Sequence, residues 1–204
     1  MKIINNIHIP KVVKAMAVAT PLLLMAPALK AQQYGLQTDV FEKTNYTTTF
    51  DAPDSMQFSP EIKVANDIIY PALVVDLSEN KLYHYDYEGY LYDVYPVASG
   101  KESTPTKPAL KIITGIEEYP YKKAPKSTKR YKNPNDYGTH LLNLSEVDPT
   151  TGKIIGSNGQ FIHGTFKQNS IGKKVSKGCI RVHNDVIDML AEYLEKGQYV
   201  LIKE

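Results

Sequence analysis

Tryptophan is absent from the 204 residues, and cysteine occurs once, at Cys179. A single cysteine excludes an internal disulfide and any paired-cysteine zinc site. No P-loop, GxGxxG fingerprint or internal repeat is present, so nothing points to a nucleotide-binding or solenoid architecture. Long hydrophobic runs are missing too. The longest, Ala15 to Leu29, is short for a membrane span and is broken by Pro21 and Pro27. Acidic side chains do not occur before Asp39, whereas Lys2, Lys11 and Lys14 precede the apolar run and small residues follow at Ala28 and Ala31. A basic segment, a short apolar core and small residues at the end are the marks of a secretory signal peptide, expected over residues 1–31 with cleavage after Ala31, or else after Ala28. A retained anchor is the alternative. The expectation is an exported protein of the periplasm or cell wall without a permanent membrane anchor. No cysteine lies near the cut to accept a lipid. Without the leader's lysines the chain carries 20 basic and 22 acidic residues. That balance gives no reason to expect nucleic acid as a partner.

What is present is tyrosine, 15 residues against 5 phenylalanines, a bias toward strands with half-exposed faces. Residues 32–66 are polar and lack a sustained period, which reads as an extended N-terminal arm with one weak strand near Tyr46 to Phe50. The compact domain is expected over 67–204. Ala72 to Asp76 reads as a buried strand, and Asn80 to Tyr85 with Tyr90 to Val97 as a hairpin turning at Gly89. Cross-strand packing explains the hairpin tyrosines better than a sugar platform does. Leu110 to Ile113 and His140 to Leu144 read as strands, and Asp148 to Gly152 as a turn. Tyr119 to Tyr137 is a long Pro- and Lys-rich connection, read as a solvated loop, a lid or an electrostatic guide for an anionic polymer. Gly159 to His163 reads as a strand delivering His163 at its end. A helix capped by Asn184 or Asp185 carries the stripe Val186, Met189, Leu190 and Leu194 toward Gly197, and Gln198 to Lys203 closes as a strand. The fold class is therefore mainly β with a late helix.

Chemistry concentrates in Phe161 to Asn184. In an exported protein a lone thiol is a reactive group, an intermolecular link or a buried apolar residue. Gly178 before it and Arg181 two places beyond make a polar, backbone-rich setting that a core cysteine does not need. An imidazole from the same segment, His163, suggests a Cys–His nucleophile pair. His84, His140 and His183 read as ordinary surface or strand histidines. The four histidines beyond the leader lack metal-ligand spacing, and neither metal nor cofactor is expected.

Phe161-Ile162-His163-Gly164, the Ser170-Ile171-Gly172 loop and Ser176-x-Gly178-Cys179-Ile180-Arg181-Val182 together resemble the catalytic signature of the L,D-transpeptidases, the YkuD-type domain. Leu73 to Asp76, Lys81-Leu82-Tyr83, Tyr95 to Lys101 and Thr104-Pro105-Thr106 resemble, in order, the family's upstream segments. The resemblance covers about residues 70–203. Lys177 stands where many members have His, and Lys107-Pro108-Ala109 follow the Thr-Pro-Thr segment where Pro and Gly are common.

The resemblance implies a β-sandwich of mixed sheets with a C-terminal helix after the cysteine. It also implies action on peptidoglycan stem peptides in cell-wall assembly and cell-shape maintenance. Cys179 would be the nucleophile and His163 the general acid/base. Gly164 would orient His163 through its backbone carbonyl, and Gly178 would contribute to an oxyanion hole. Ser176 would either hydrogen-bond within the site or close a turn. Arg181 would hold a substrate carboxylate or form a structural ion pair. The acceptor stays open: a second stem peptide, an envelope protein, or water, the last making a carboxypeptidase or endopeptidase. A non-catalytic wall-binding module and a secreted cysteine protease are the remaining readings.

Overall fold

The computed structural model describes residues 54–119 and 137–204. The signal-peptide reading, the weak strand near residues 46–50 and all but the ends of the basic connection lie outside the described residues. Thirteen strands and one α-helix organise what is described: β1 (Ile62–Val64), β2 (Asp67–Ile69), β3 (Leu73–Asp76), β4 (Lys81–Tyr85), β5 (Leu91–Pro96), β6 (Ser99–Gly100), β7 (Ala109–Glu118), β8 (His140–Val147), β9 (Ile154–Gly156), β10 (Phe161–His163), β11 (Lys174–Ser176), β12 (Ile180–Arg181), α1 (Asn184–Tyr193) and β13 (Tyr199–Lys203). Nine strands form one mixed sheet in the order β12-β10-β8-β7-β13-β3-β4-β5, with β9 also on β8; β1 pairs with β2, and β11 with β6. The class is mainly β with one C-terminal helix, as expected.

Alternation along the strands divides the apolar residues between two faces. Val200 and Ile202 of β13 join Leu73, Val75, Leu82, Ile113, Leu142, Leu144, Ile162 and Ile180 in the main core. The buried face of α1, Val186, Ile187, Met189 and Leu190, packs into that core. On the opposite face Val74, Tyr83 and Tyr85 cluster with Leu201, and Tyr119, Leu141 and Phe161 form a separate cluster against Tyr137 and Cys179. The two faces put the core beneath the cysteine loop and an aromatic group beside it.

Three local expectations differ from the structure. The arm boundary at residue 66 falls inside the β1–β2 hairpin, whose Val64 is buried with Leu110 and Val147. Phe58 also bridges to Tyr90. Polar, short-period sequence hid a segment that is bound to the domain by pairing. Neither Asn184 nor Asp185 is the N-cap of α1: His183 occupies it without a side-chain bond, Asn184 Oδ1 accepts the Thr165 N–H at 2.8 Å, and Asp185 Oδ1 accepts the Val186 N–H within the first turn at 3.0 Å. The helix ends at Tyr193, before Gly197, whose N–H donates to Ile113 O as the chain turns toward β13.

His84 is not a surface residue. It is 5 % exposed on β4, and its Nδ1 has no hydrogen-bond partner. Burial lowers its pKa to about 4, and His163 is held at about 4 chiefly by burial as well. In an unfolded chain both imidazoles titrate near 6.5. Between pH ~6.5 and ~4 the unfolded state therefore binds more protons than the folded one, and stability rises with pH across that window. Lowering the pH from 7 to 4.5 should cost up to about 3 kcal/mol per histidine, read as a falling urea midpoint. His84→Phe should remove roughly half of the slope.

Candidate active site

The chain places His163 at the end of β10 and Cys179 immediately before the neighbouring strand β12. β10 pairs with β12 in parallel, Ile162 opposite Ile180 and His163 opposite Arg181. Ile162 and Ile180 both enter the main core. Strand alternation then puts Phe161, His163, Cys179 and Arg181 on the other face, with Cys179 one diagonal step from His163. The order of faces comes directly from Phe-Ile-His and Cys-Ile-Arg, in which one isoleucine anchors each tripeptide.

His163 is 3 % exposed, and its Nδ1 lies 2.6 Å from Gly164 O. A carbonyl oxygen can only accept, so Nδ1 carries the proton and Nε2 keeps its lone pair. Burial is the main cause of the lowered His163 pKa, and the positive charge of Arg181 adds to it, against opposing contributions from the Gly164 and Tyr137 backbones. The imidazole is thus neutral and fixed in the tautomer that can take a proton at Nε2. The Tyr137 ring meets its edge with centroids 4.8 Å apart.

Gly164 can carry no side chain. A Cβ there would lie 2.4 Å from Asn184 Oδ1 and 2.9 Å from Ile187 Cγ2. The same Asn184 oxygen holds the Thr165 N–H, so the start of α1 clamps the strand end that presents the Gly164 carbonyl.

Cys179 is partly exposed, and its Sγ points at Gly159 O, 3.8 Å away. The loop that delivers it is closed by Ser176, whose hydroxyl donates to Cys179 O at 2.6 Å and accepts the Gly178 N–H at 3.0 Å. Ser176 therefore makes the turn bond. Gly178 adopts φ 111°, a conformation that favours glycine. Its N–H is engaged by the Ser176 hydroxyl. What Gly178 supplies in this structure is the turn itself.

Two residues with no role assigned from sequence brace this loop. Thr106 Oγ1 donates to Gly178 O at 3.0 Å and accepts the Gly100 N–H at 2.8 Å, and Thr104 Oγ1 donates to Ser176 O at 3.2 Å. Gly100 is packed so closely that a Cβ would lie 2.3 Å from Thr106 N. Thr-Pro-Thr was visible as a segment, but only tertiary contact reveals that both hydroxyls hold the cysteine loop. Replacing Thr106 by Val leaves a buried N–H and a buried carbonyl unpaired, at a cost of about 1–3 kcal/mol. Thr106→Val should lower the melting temperature and reduce turnover about tenfold, whereas Thr106→Ser should retain most of both.

Arg181 enters no ion pair with a carboxylate among the described residues, and its Nε is buried without a partner. The expected structural ion pair thus has no carboxylate partner among the described residues. The other histidines stand apart: His140 Nδ1 lies 2.6 Å from Asp188, and His183 contacts Gln168. Among the described residues no cluster of His, Cys, Asp or Glu could hold a metal ion.

The curled mixed sheet thus sets a neutral, tautomer-fixed imidazole beside a braced cysteine loop. Residues 70–202 match the YkuD family, described as the L,D-transpeptidase catalytic domain, and the chain belongs to that family. It is 35% identical over 111 residues to YqjB of Bacillus subtilis, a protein named as an L,D-transpeptidase, covering 54% of this chain and 59% of that one. With YkuD of Bacillus licheniformis it shares 31% identity over 144 residues, covering 70% and 71%. The match to ErfK/SrfK of Escherichia coli spans only 47% of that relative, so the chain corresponds to about half the length of some curated relatives. An L,D-transpeptidase from Mycobacterium tuberculosis has the same fold, with a TM-score of 0.50 at 17% identity over 66% of this chain and 59% of that one. An Enterococcus faecium L,D-transpeptidase also superposes with a TM-score of 0.50, at 24% identity over 65% and 49% of the two chains.

Proposed function

We propose that this protein is an exported L,D-transpeptidase acting on peptidoglycan stem tetrapeptides, with Cys179 as nucleophile and His163 as general acid/base. The observation that carries the reading is the His163 Nδ1–Gly164 O contact of 2.6 Å, which reserves Nε2 for the thiol proton. In the first half-reaction His163 Nε2 takes the Cys179 proton as sulfur bonds to the carbonyl carbon of the third, L-centred residue. The bond from that carbon to the D-Ala nitrogen breaks, and His163 returns the proton to the leaving amine. In the second half an acceptor amine attacks the thioester carbon, the carbon–sulfur bond breaks, and the amine proton returns through His163 to the thiolate. Gly164 sets the ring through its carbonyl, in the part that a carboxylate takes in other triads. The oxyanion falls to the backbone of the turn that Ser176 closes, and Gly178 can contribute its N–H only when Ser176 releases it. Arg181, with its unpartnered Nε, is suited to a substrate carboxylate.

The leader at 1–31 would export the enzyme to the periplasm or cell wall. No helix among the described residues is long and apolar enough to cross a membrane. The test is product analysis with a disaccharide-tetrapeptide, alone and with a second amine. Loss of D-Ala with a 3→3 dimer is expected. A tripeptide without dimer would make water the acceptor, and a new amide on an envelope-protein lysine would make the enzyme a tether. No reaction with any of these would overturn the proposal.

A further inference from the structure

A cleft of about 570 Å³ opens beside the nucleophile, lined by Thr114, Glu117, Asn143, Gly159, Phe161 and Lys196 among others. Gly159 belongs both to this cleft and to the thiol's surroundings, since its carbonyl lies 3.8 Å from Cys179 Sγ. The cleft therefore begins within one residue's reach of the attacking atom. The sheet is irregular here. The β7–β8 register shifts between Ile113 and Gly115, a bulge of the kind that re-aims side chains next to active sites. The Asn143 amide lies over Gly115, where a Cβ would come within 2.8 Å of its Nδ2 and would displace it. That amide donates to Glu117 Oε1 at 2.6 Å and fixes the carboxylate at the cleft wall. Lys196, in the turn between α1 and β13, supplies the opposite charge. Glu117 and Lys196 line one cleft and do not pair with each other.

An oriented carboxylate, an unpaired ammonium and an aromatic wall form a complementary site for a flexible chain ending in a zwitterion. Resting on the proposed function, we propose that this cleft receives the side chain of the donor's third residue. Glu117 and Lys196 would then select a diamino dicarboxylic acid, whose side chain ends in both ammonium and carboxylate, over a diamino monocarboxylic acid ending in ammonium alone. Phe161 lies along the methylenes, Glu117 takes the distal ammonium, and Lys196 takes the distal carboxylate. These are specificity residues and leave the proton transfers to Cys179 and His163.

The test is calorimetric titration of the Cys179→Ala protein with two stem tetrapeptides, one carrying 2,6-diaminopimelate at the third position and the other lysine. The diaminopimelate peptide should bind about tenfold more tightly. Lys196→Met should abolish that difference, and Lys196→Glu should reverse it. Glu117→Gln should weaken both peptides by a similar factor. Equal binding of the two peptides, no binding of either, or a preference that survives Lys196→Met overturns the subsite. Binding needs no turnover, so these results stand apart from wild-type D-Ala release. Release with equal binding overturns the subsite alone, whereas a selective cleft on a protein that releases nothing overturns the proposed reaction alone.

Discussion

Cys179→Ala should bring D-Ala release from a stem tetrapeptide down to background, a loss of at least four orders of magnitude, while the domain stays folded. The thiol is the only one in the chain, so no other sulfur can replace it. Its loss removes the bond-forming atom itself, and the oxyanion-binding backbone can supply only the residual acceleration seen when a nucleophile is deleted. The cost to the fold should be small. Cys179 is partly exposed, and the bonds that shape its loop run through the Ser176 hydroxyl, Gly178 and the Thr106 hydroxyl. A melting temperature within a few degrees of wild type, with activity gone, is the expected pair of results. An unfolded variant would assign the cysteine to packing instead.

His163→Gln should reduce turnover by about three orders of magnitude, because general acid–base catalysis contributes roughly 10²–10⁴-fold. Glutamine keeps a polar group near Gly164 O but cannot shuttle a proton. The wild-type pH profile gives an independent reading. The folded His163 pKa is lowered to about 4, mainly by burial, and only the neutral ring can accept the thiol proton. The sign follows: as pH falls, activity is retained past the ordinary histidine value and lost near 4. The acid limb of kcat/KM reports the free enzyme, so it should lie well below 6.5. Circular dichroism at each pH separates this limb from the acid unfolding to which His84 contributes. A limb at 6.5 in folded protein would show that His163 is solvated or is not the base.

The common face of the candidate residues was legible because its signals are local. Phe-Ile-His and Cys-Ile-Arg each alternate a core isoleucine with outward side chains, which sets Phe161, His163, Cys179 and Arg181 on one face. The helix stripe from Val186 to Leu194 and the hairpin turning at Gly89, with φ 85°, are local patterns of the same kind. Other parts depend on distant partners. β7 was read only from 110 to 113 because Thr114-Gly115 interrupts the apolar pattern, yet the strand continues to Glu118 through a bulge against Asn143. β11 and β12 are too short for any period. The two threonine hydroxyls act on residues more than seventy positions away. The engagement of the Gly178 N–H by Ser176 is a matter of turn geometry that composition does not disclose. His84 looked ordinary because alternation assigns a face and says nothing of how completely that face is covered.

The central claim is a thioester on Cys179, and intact-protein mass spectrometry of a rapidly quenched reaction tests it most directly. Mixed with a disaccharide-tetrapeptide in the absence of an amine acceptor, the wild-type protein should gain the mass of the disaccharide-tripeptide acyl group. The adduct should map to Cys179, discharge on addition of an amine acceptor, and be absent from Cys179→Ala. Tripeptide product formed with no adduct at any quench time, and at the same rate by Cys179→Ala, would contradict the account.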